Sequence, residues 1–409
     1  MMRRHGWTTC SRMTPPVARP CHPRVTYTTT RASSFDTECI YDGKDVLLVK
    51  SGSPVHDWPN HPETAQRMVS IEASLKKLQG LHSRLYELTN VPPATREDVV
   101  AVHDPRYLDL LEVKAKETMD TSGMMIDEST YITRSSYLDA LNSAGSVKGL
   151  IDAMMLADSH RKNCAKTAEY TVPKGFALCR PPGHHACKAY PMGFCLMNNA
   201  AVAVEYLRSA YALKKIAILD FDVHHGNGTQ DLFYSDPDVL FISSHQEGSF
   251  PGTGKMTEMG MGHGLSTTIN IPLPGDSGDS SAREVWEEVM GPALDRFQPE
   301  CIVVSAGYDG HLQDPLGGFQ YSTTTYYALT RYIVEASERL CHGRCIFILE
   351  GGYHLDALGD SVANTVSAML HGPMVQDDLF SKRSDYFRDE PLDKVRSIIH
   401  HVKSLHELM

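Results

Sequence analysis

The ten cysteines of this chain include no Cys-x-x-Cys pair, and nothing matches the spacing of Cys341 and Cys345 to complete a thiol zinc site. A disulfide framework is equally absent, so reduced, mostly buried thiols are expected. No apolar run reaches the roughly 18 residues that a helix needs to cross a bilayer, so no membrane span is expected. Positive charge is in deficit, with 39 Lys and Arg against 50 Asp and Glu and a formal net charge of -11. That excludes free nucleic acid as an expected partner and leaves a basic protein substrate acceptable. Internal repeats, low-complexity tracts and long linkers are also missing. With 409 residues, 42% of them hydrophobic, the chain has ample material for one large core.

The N-terminus lacks acid altogether. Residues 1–35 contain no Asp or Glu but carry Arg3, Arg4, Arg12, Arg19, Arg24 and Arg31, with Ser and Thr frequent, as in Thr28, Thr29 and Thr30. This is the composition of an organelle transit peptide, without the apolar stretch of a secretory signal. It predicts a leader over residues 1–40 and a single globular domain over 41–409. Composition does not separate plastid from mitochondrion. The alternative is an unstructured tail on a cytoplasmic or nuclear protein.

What is present from residue 44 onward is alternation. Short β-rich runs (Val46–Val49, Gly175–Leu178, Ile216–Val223, Val239–Ser243, Cys301–Ser305, Cys345–Leu349) alternate with helical periods at 64–79, 96–117, 135–157, 198–213, 281–297, 322–341, 355–371 and 392–406. The pattern predicts an α/β fold, a mostly parallel central sheet with helices on both faces. Five of the runs end in polar, Gly-rich turns that carry His, Asp and Tyr: Arg180 to His185, Asp220 to Gly226, Ser243 to His245, Ser305 to Gly310, and Glu350 to His354. In open parallel sheets the site lies beyond the carboxyl ends of the strands, so these turns are expected to converge there.

Asp220, Asp222 and His224 alternate, and alternate residues of an extended segment face one side. Asp222 and His224 can bind one cation, with Asp309 supplying a third ligand from a second strand end. Two carboxylates and one imidazole leave a position open for water, as a catalytic zinc requires. A binuclear centre of the arginase type needs more carboxylates than the second strand end offers, which favours a single metal. His184 and His185 form a tandem stiffened by Pro181 and Pro182. Amide hydrolysis needs a base for the water and an acid for the leaving amine, and a histidine pair can divide or share these roles. Asp220 and Asn227 are the candidates to fix their tautomers. Tyr353, after two glycines, can donate a hydrogen bond to a developing oxyanion.

With these motifs in order, the sequence resembles the zinc-dependent histone deacetylase family over roughly residues 55–370. The resemblance rests on His61-Pro-Glu63, Arg180 to Ala186, Gly193-Phe-Cys195, Asp220 to Thr229, Pro251 to Gly254, Ser305 to Asp309, Asp314 to Gly317 and Glu350 to Tyr353. Asn227, where other members carry Asp, is similar to class II. The leader together with the core is most like the plant organellar branch. The resemblance implies an arginase–deacetylase fold and hydrolysis of Nε-acetyl-lysine in proteins or peptides to lysine and acetate. It implies Asp222, His224 and Asp309 as zinc ligands, His185 as general base and acid, His184 as an electrostatic partner held by Asp220, and Asn227 beside His185. It further implies Tyr353 as the carbonyl-polarising group. Gly193, Phe194 and Phe250 would line the acyl-lysine tunnel. A structural potassium would be held by Asp220, Asp222, His224, Ser243 and Ser244, partly through backbone carbonyls. A remoter monovalent site would fall near Phe233, Asp236, Val239 and Thr267. Members that act on acetylpolyamines carry an acid where this chain has Leu316, which favours acyl-lysine over the alternative, a small-molecule acetylamine hydrolase. A catalytically weak binding scaffold would have lost a ligand or the tyrosine, and neither is missing. The loop around Asp127, Tyr131 and Tyr137 matches no placed pattern, and a carboxylate that holds the substrate backbone is sought there. Oligomeric state and acyl-chain preference are not legible.

Overall fold

The structure, a computed structural model, describes residues 44–78, 80–119, 122–164, 171–375 and 388–408. The expected leader over residues 1–40 lies outside the described residues. Among the described residues ten strands follow in chain order: β1 (Val46–Ser51), β2 (Leu85–Leu88), β3 (Met124–Met125), β4 (Tyr131–Ile132), β5 (Lys174–Cys179), β6 (Ile216–Asp220), β7 (Val239–Gln246), β8 (Thr268–Leu273), β9 (Cys301–Ala306) and β10 (Cys345–Leu349). Eight of them form one sheet in the order β2-β1-β5-β10-β9-β6-β7-β8, and every adjacent pair is parallel. The remaining two, β3 and β4, form a small antiparallel pair.

The central strands β5, β6, β9 and β10 are buried along their whole length. A parallel strand covered on both faces has no polar side to alternate with, which is why these segments read as unbroken apolar runs. Phe347 and Leu349 join the core that also contains Leu329 and Ile333 of the helix Thr323–Cys341 and Leu358 and Val362 of the helix Leu355–Met369. On the opposite face Gly175, in register with Ile346 of β10, packs near Leu150 of the long helix Ser136–Cys164 with room for ordinary van der Waals contact. Each such aliphatic residue, fully buried, contributes roughly 1.5–3 kcal/mol. Among the described residues no helix is long and apolar enough to cross a membrane. Among the described residues, Cys179, Cys187, Cys195, Cys301, Cys341 and Cys345 are buried and unpaired.

Three differences from the sequence pattern have physical reasons. The stretch 96–117 is two helices, Arg96–Val100 and Pro105–Glu117, because Pro105 cannot donate into a preceding turn and Asp104 caps the second helix by accepting from Arg106 N–H. The stretch 281–297 begins earlier, at Asp279, and is interrupted by a π turn at Trp286–Met290. Both strands at the sheet edges that the pattern omits are disguised. One, β2, has only four residues and an exposed Glu87, and the other, β8, contains Pro272, which an edge strand tolerates. A short helix, Asn227–Phe233, was also not expected.

Candidate active site

The five strands β5, β10, β9, β6 and β7 are consecutive and parallel in the sheet, so the four polar turns after β5, β6, β9 and β10 leave from one end of it, while Ser243 to His245, expected as a turn, lie within β7. On the turn after β6, Asp222 Oδ1 lies 3.2 Å from His224 Nδ1, and Asp309 Oδ2, from the turn after β9, lies 3.0 Å from the same nitrogen. Donor atoms of the three residues all fall within 4.8 Å of one another. Asp222 and Asp309 are fully buried. Burial opposes charge on His224, but hydrogen bonds to Asp222 and Asp309 hold its pKa up to about 11. Two buried carboxylates thus demand a positive centre at this point, either the imidazole proton or a metal ion in its place.

Backbone groups fix the two carboxylates. Gly351 N–H donates to Asp222 Oδ2 at 2.9 Å and Val223 N–H to Asp309 Oδ1 at 3.0 Å. Gly307 and Gly351 have to be glycine, since a Cβ at either would collide with these carboxylates.

The tandem histidines lie alongside. His184 Nδ1 donates to Asp220 Oδ2 at 3.1 Å, and His185 Nδ1 donates to Asn227 Oδ1 at 2.7 Å. Each ring therefore turns Nε2 away from its partner. The two environments differ. Burial works against a charge on His184, but Asp220 and Asp222 prevail and hold its pKa up to about 10. His185 is held well below the usual imidazole range, first by burial and then by the positive charges of His184 and His224. One histidine is built to stay charged and its neighbour to stay neutral.

The walls are aromatic. Phe250 meets the His185 ring edge-on at 5.1 Å, and Phe194 meets the Tyr353 ring edge-on at 5.5 Å. Gly193 and Phe194 both take left-handed backbone, with φ of 53° and 70°. A Cβ on Gly193 would strike His185 and come within 2.9 Å of Phe250, so glycine is required where the wall passes the histidine. Leu316 is exposed, and its N–H donates to Asp314 Oδ1 at 3.0 Å. No described residue accepts from the Tyr353 hydroxyl, while the Arg67 guanidinium lies 5.1 Å from its ring centroid. Burial, followed by Asp309, pushes the phenol well above its ordinary pKa, so it keeps its proton to donate.

Several supporting residues had no assigned role in the sequence. Glu350 accepts from Gly183 N–H at 2.6 Å, His184 N–H at 3.1 Å and Ser305 Oγ at 3.1 Å, which joins the ends of β5, β9 and β10. Glu63, fully buried, pairs with both Arg67 and Arg180. Arg67 in turn donates to the carbonyls of Gly352 at 2.7 Å and Glu350 at 2.5 Å. Their positions inside quoted motifs were the only available signal, since a sequence does not show that a charge is buried.

In the loop where a carboxylate for the substrate backbone is sought, Tyr131 is buried and donates to the backbone carbonyl of Glu63 at 3.0 Å and to its carboxylate at 3.1 Å. Asp127 accepts from Ser129 N–H at 2.7 Å and Thr130 N–H at 2.5 Å, and so folds its own turn. Tyr137 lies beside Arg96. At the expected potassium site, Ser243 pairs in register with Asp220 across β6 and β7, and its Oγ lies 2.8 Å from His245 Nδ1. Ser244 is the next residue of β7 and is buried. At the remoter site the Asp236 carboxylate is committed to Arg208, at 2.7 and 3.0 Å, and Thr267 Oγ1 donates to the Asp236 carbonyl at 3.1 Å. Phe233 and Val239 flank this turn at the end of one helix and the start of β7.

At the strand ends of a parallel α/β sheet stand paired histidines and a two-carboxylate, one-imidazole cluster that could hold a metal ion. Residues 61–369 match the Histone deacetylase domain model, and the chain belongs to the histone deacetylase family. It is a deacetylase-family hydrolase. It is 44% identical over 391 residues to Histone deacetylase 14, chloroplastic, of Arabidopsis thaliana, covering 91% of this chain and 89% of that one. It is 43% identical over 370 residues to Histone deacetylase 10, chloroplastic, of Oryza sativa subsp. japonica, covering 89% and 81%. Among solved structures, the HDA15 HD domain superposes with a TM-score of 0.74 at 28% identity, covering 88% of this chain and 94% of that one.

Proposed function

We propose that this chain is a zinc-dependent deacetylase that hydrolyses Nε-acetyl-lysine in proteins or peptides to lysine and acetate. The observation that carries the proposal is the convergence of Asp222, His224 and Asp309 on one point beside a neutral His185. The donor set fits the metal: two hard oxygens and one imidazole nitrogen, oriented by backbone N–H groups and leaving positions open. A zinc ion there supplies Lewis acidity toward the acyl carbonyl and the attacking water.

The residues do the rest. His185 Nε2 takes the proton of the attacking water and returns it to the leaving ε-amine. Asn227 holds the ring in the tautomer that leaves Nε2 free. His184, kept protonated by Asp220, adds positive charge beside the developing oxyanion. Tyr353 donates its phenol proton in a hydrogen bond to the same oxygen. Phe194 and Phe250 flank the apolar lysine stem, and uncharged Leu316 at the rim favours acyl-lysine over a cationic polyamine.

Potassium held by Asp220, Asp222, His224, Ser243 and Ser244 belongs to the same proposal, as does a weaker second site near Asp236. No nucleic acid or membrane is needed as a partner. A plastid location follows from the acid-poor leader and the chloroplastic names of the two plant relatives. A fluorescent fusion of residues 1–40 that stays cytosolic would refute it.

The activity is tested on acetyl-lysine peptides and free acetylated amines side by side. The expected result is a preference for peptide, loss of activity with a chelator and recovery with zinc. A preference for free amines by orders of magnitude would make the chain a small-molecule amidohydrolase instead. Wild-type turnover by His185→Ala or Asp309→Asn would remove the mechanism.

A further inference from the structure

Asp314 lies five residues beyond Asp309 and is buried. Its Oδ2 accepts from Tyr353 N–H at 2.6 Å and His354 N–H at 3.2 Å, and its Oδ1 accepts from Leu316 N–H at 3.0 Å. One carboxylate thus gathers three backbone donors from two separate turns. The turn after β9 carries Leu316 at the rim, and the turn after β10 carries Tyr353. That turn is held before the tyrosine, where Gly351 N–H donates to Asp222 and the Gly352 carbonyl accepts from Arg67, but the N–H of Tyr353 itself goes to Asp314. Gly351 and Gly352 precede the tyrosine, and Gly352 sits at φ 118°, where side-chain-bearing residues are rarely found. Glycine lowers the cost of moving, so something else has to set where the ring rests.

We infer that Asp314 is a positioning residue: it latches the tyrosine turn to the rim loop and holds the Tyr353 hydroxyl over the reacting carbonyl. The inference rests on the proposal that Tyr353 polarises that carbonyl. A carboxylate is the one short side chain that accepts from three N–H groups without presenting a donor of its own. An asparagine keeps one acceptor oxygen and turns an N–H toward donors. The competing role is purely structural. His354 caps the helix Leu355–Met369, and Asp314 braces that cap from outside.

A double-mutant cycle separates the two roles. In otherwise wild-type enzyme, Asp314→Asn is expected to lower kcat on an acetyl-lysine peptide at least tenfold, with KM within about threefold and zinc content unchanged. In a Tyr353→Phe background the same substitution is expected to lower kcat less than about twofold, because its effect passes through the missing hydroxyl. Asp314→Glu should recover part of the loss. An equal factor in both backgrounds, or no loss in the first, overturns the inference. Amide hydrogen exchange at Tyr353 and His354 reads the latch independently. Asp314→Asn is expected to speed both at least tenfold, and unchanged exchange overturns the latch whatever the kinetics show. If Tyr353→Phe alone leaves kcat intact while exchange accelerates, the tyrosine's proposed role has failed and the latch stands as a tether of the turn.

Discussion

Replacing Asn227 by Asp puts a full negative charge against His185 Nδ1, where the amide oxygen now accepts at 2.7 Å. With charge centres about 4 Å apart and an effective dielectric of about 20, the attraction is about 4 kcal/mol. That corresponds to about three pKa units. Part of it is lost, because the new carboxylate is itself half-buried, facing Cys187 Sγ and Met192 Sδ where Asn227 Nδ2 now donates at 3.4 Å to each. A rise of about one to three units in the His185 pKa is left. The sign follows from the role. A general base works deprotonated, so a higher pKa removes the active form at low pH, and the acidic limb of log kcat/KM against pH moves up by at least about one unit. A bound cation lowers His185 in both proteins and cancels in the comparison. The assay is the pH profile on an acetyl-lysine peptide, with fold and metal content matched by circular dichroism and zinc analysis. An unmoved acidic limb in a folded, loaded variant would show that His185 is not the titrating base.

Gly193→Ala should lower kcat/KM at least about a hundredfold, because the added methyl collides with His185 and the left-handed backbone adds about 1–2 kcal/mol of strain; steady-state kinetics with a thermal melt would check it, and near-normal turnover would contradict the packing. Glu63→Gln leaves Arg67 and Arg180 buried with a neutral amide between them, so unfolding in urea should show a loss of about 3–5 kcal/mol, and a loss under about 1 kcal/mol would refute the network. His103 is buried with Nδ1 donating to the Cys187 carbonyl at 3.0 Å and Nε2 accepting from Asn198 N–H at 2.9 Å, and burial lowers its pKa to about 4. Below pH about 6.5 the unfolded chain takes up a proton that the folded one refuses, so this site's stability is complete above 6.5 and declines by about 3 kcal/mol as pH falls to 4. Urea midpoints of wild type and His103→Gln across that window should converge toward pH 4, and parallel curves would exclude the effect.

The fold was legible where burial is uniform. Strands such as β6, β9 and β10 are buried along their whole length because both faces are covered, and they read as mostly apolar runs. The pattern failed where neighbours, not propensity, decide. Four residues of β2 and the Pro-containing β8 become strands only because β1 and β7 offer a parallel edge to pair with. At 104–105 the information was present but outweighed. Apolar spacing runs through Asp104-Pro105 without a break, although an N-cap followed by proline marks a helix start.

The site divides along a different line. Residues proposed to hold a metal or move a proton have to present unusual side chains at strand ends, and so Asp222, His224, Asp309, His184 and His185 stand out from a single sequence. Residues that hold those residues need only be in the right place, and an Asp or a Tyr does not announce its neighbours. Tyr131 lies in a loop that matched no placed pattern, and its spacing gives no hint that its hydroxyl closes the Glu63 network. Asn227 shows the limit most clearly. Its identity reveals that His185 has a neutral partner. What keeps the amide oxygen, and not the nitrogen, toward the imidazole is the pair of sulfurs on its far side, Cys187 and Met192, which accept from Nδ2 but donate little in return. That arrangement depends on three segments meeting in space, and no spacing along the chain encodes it.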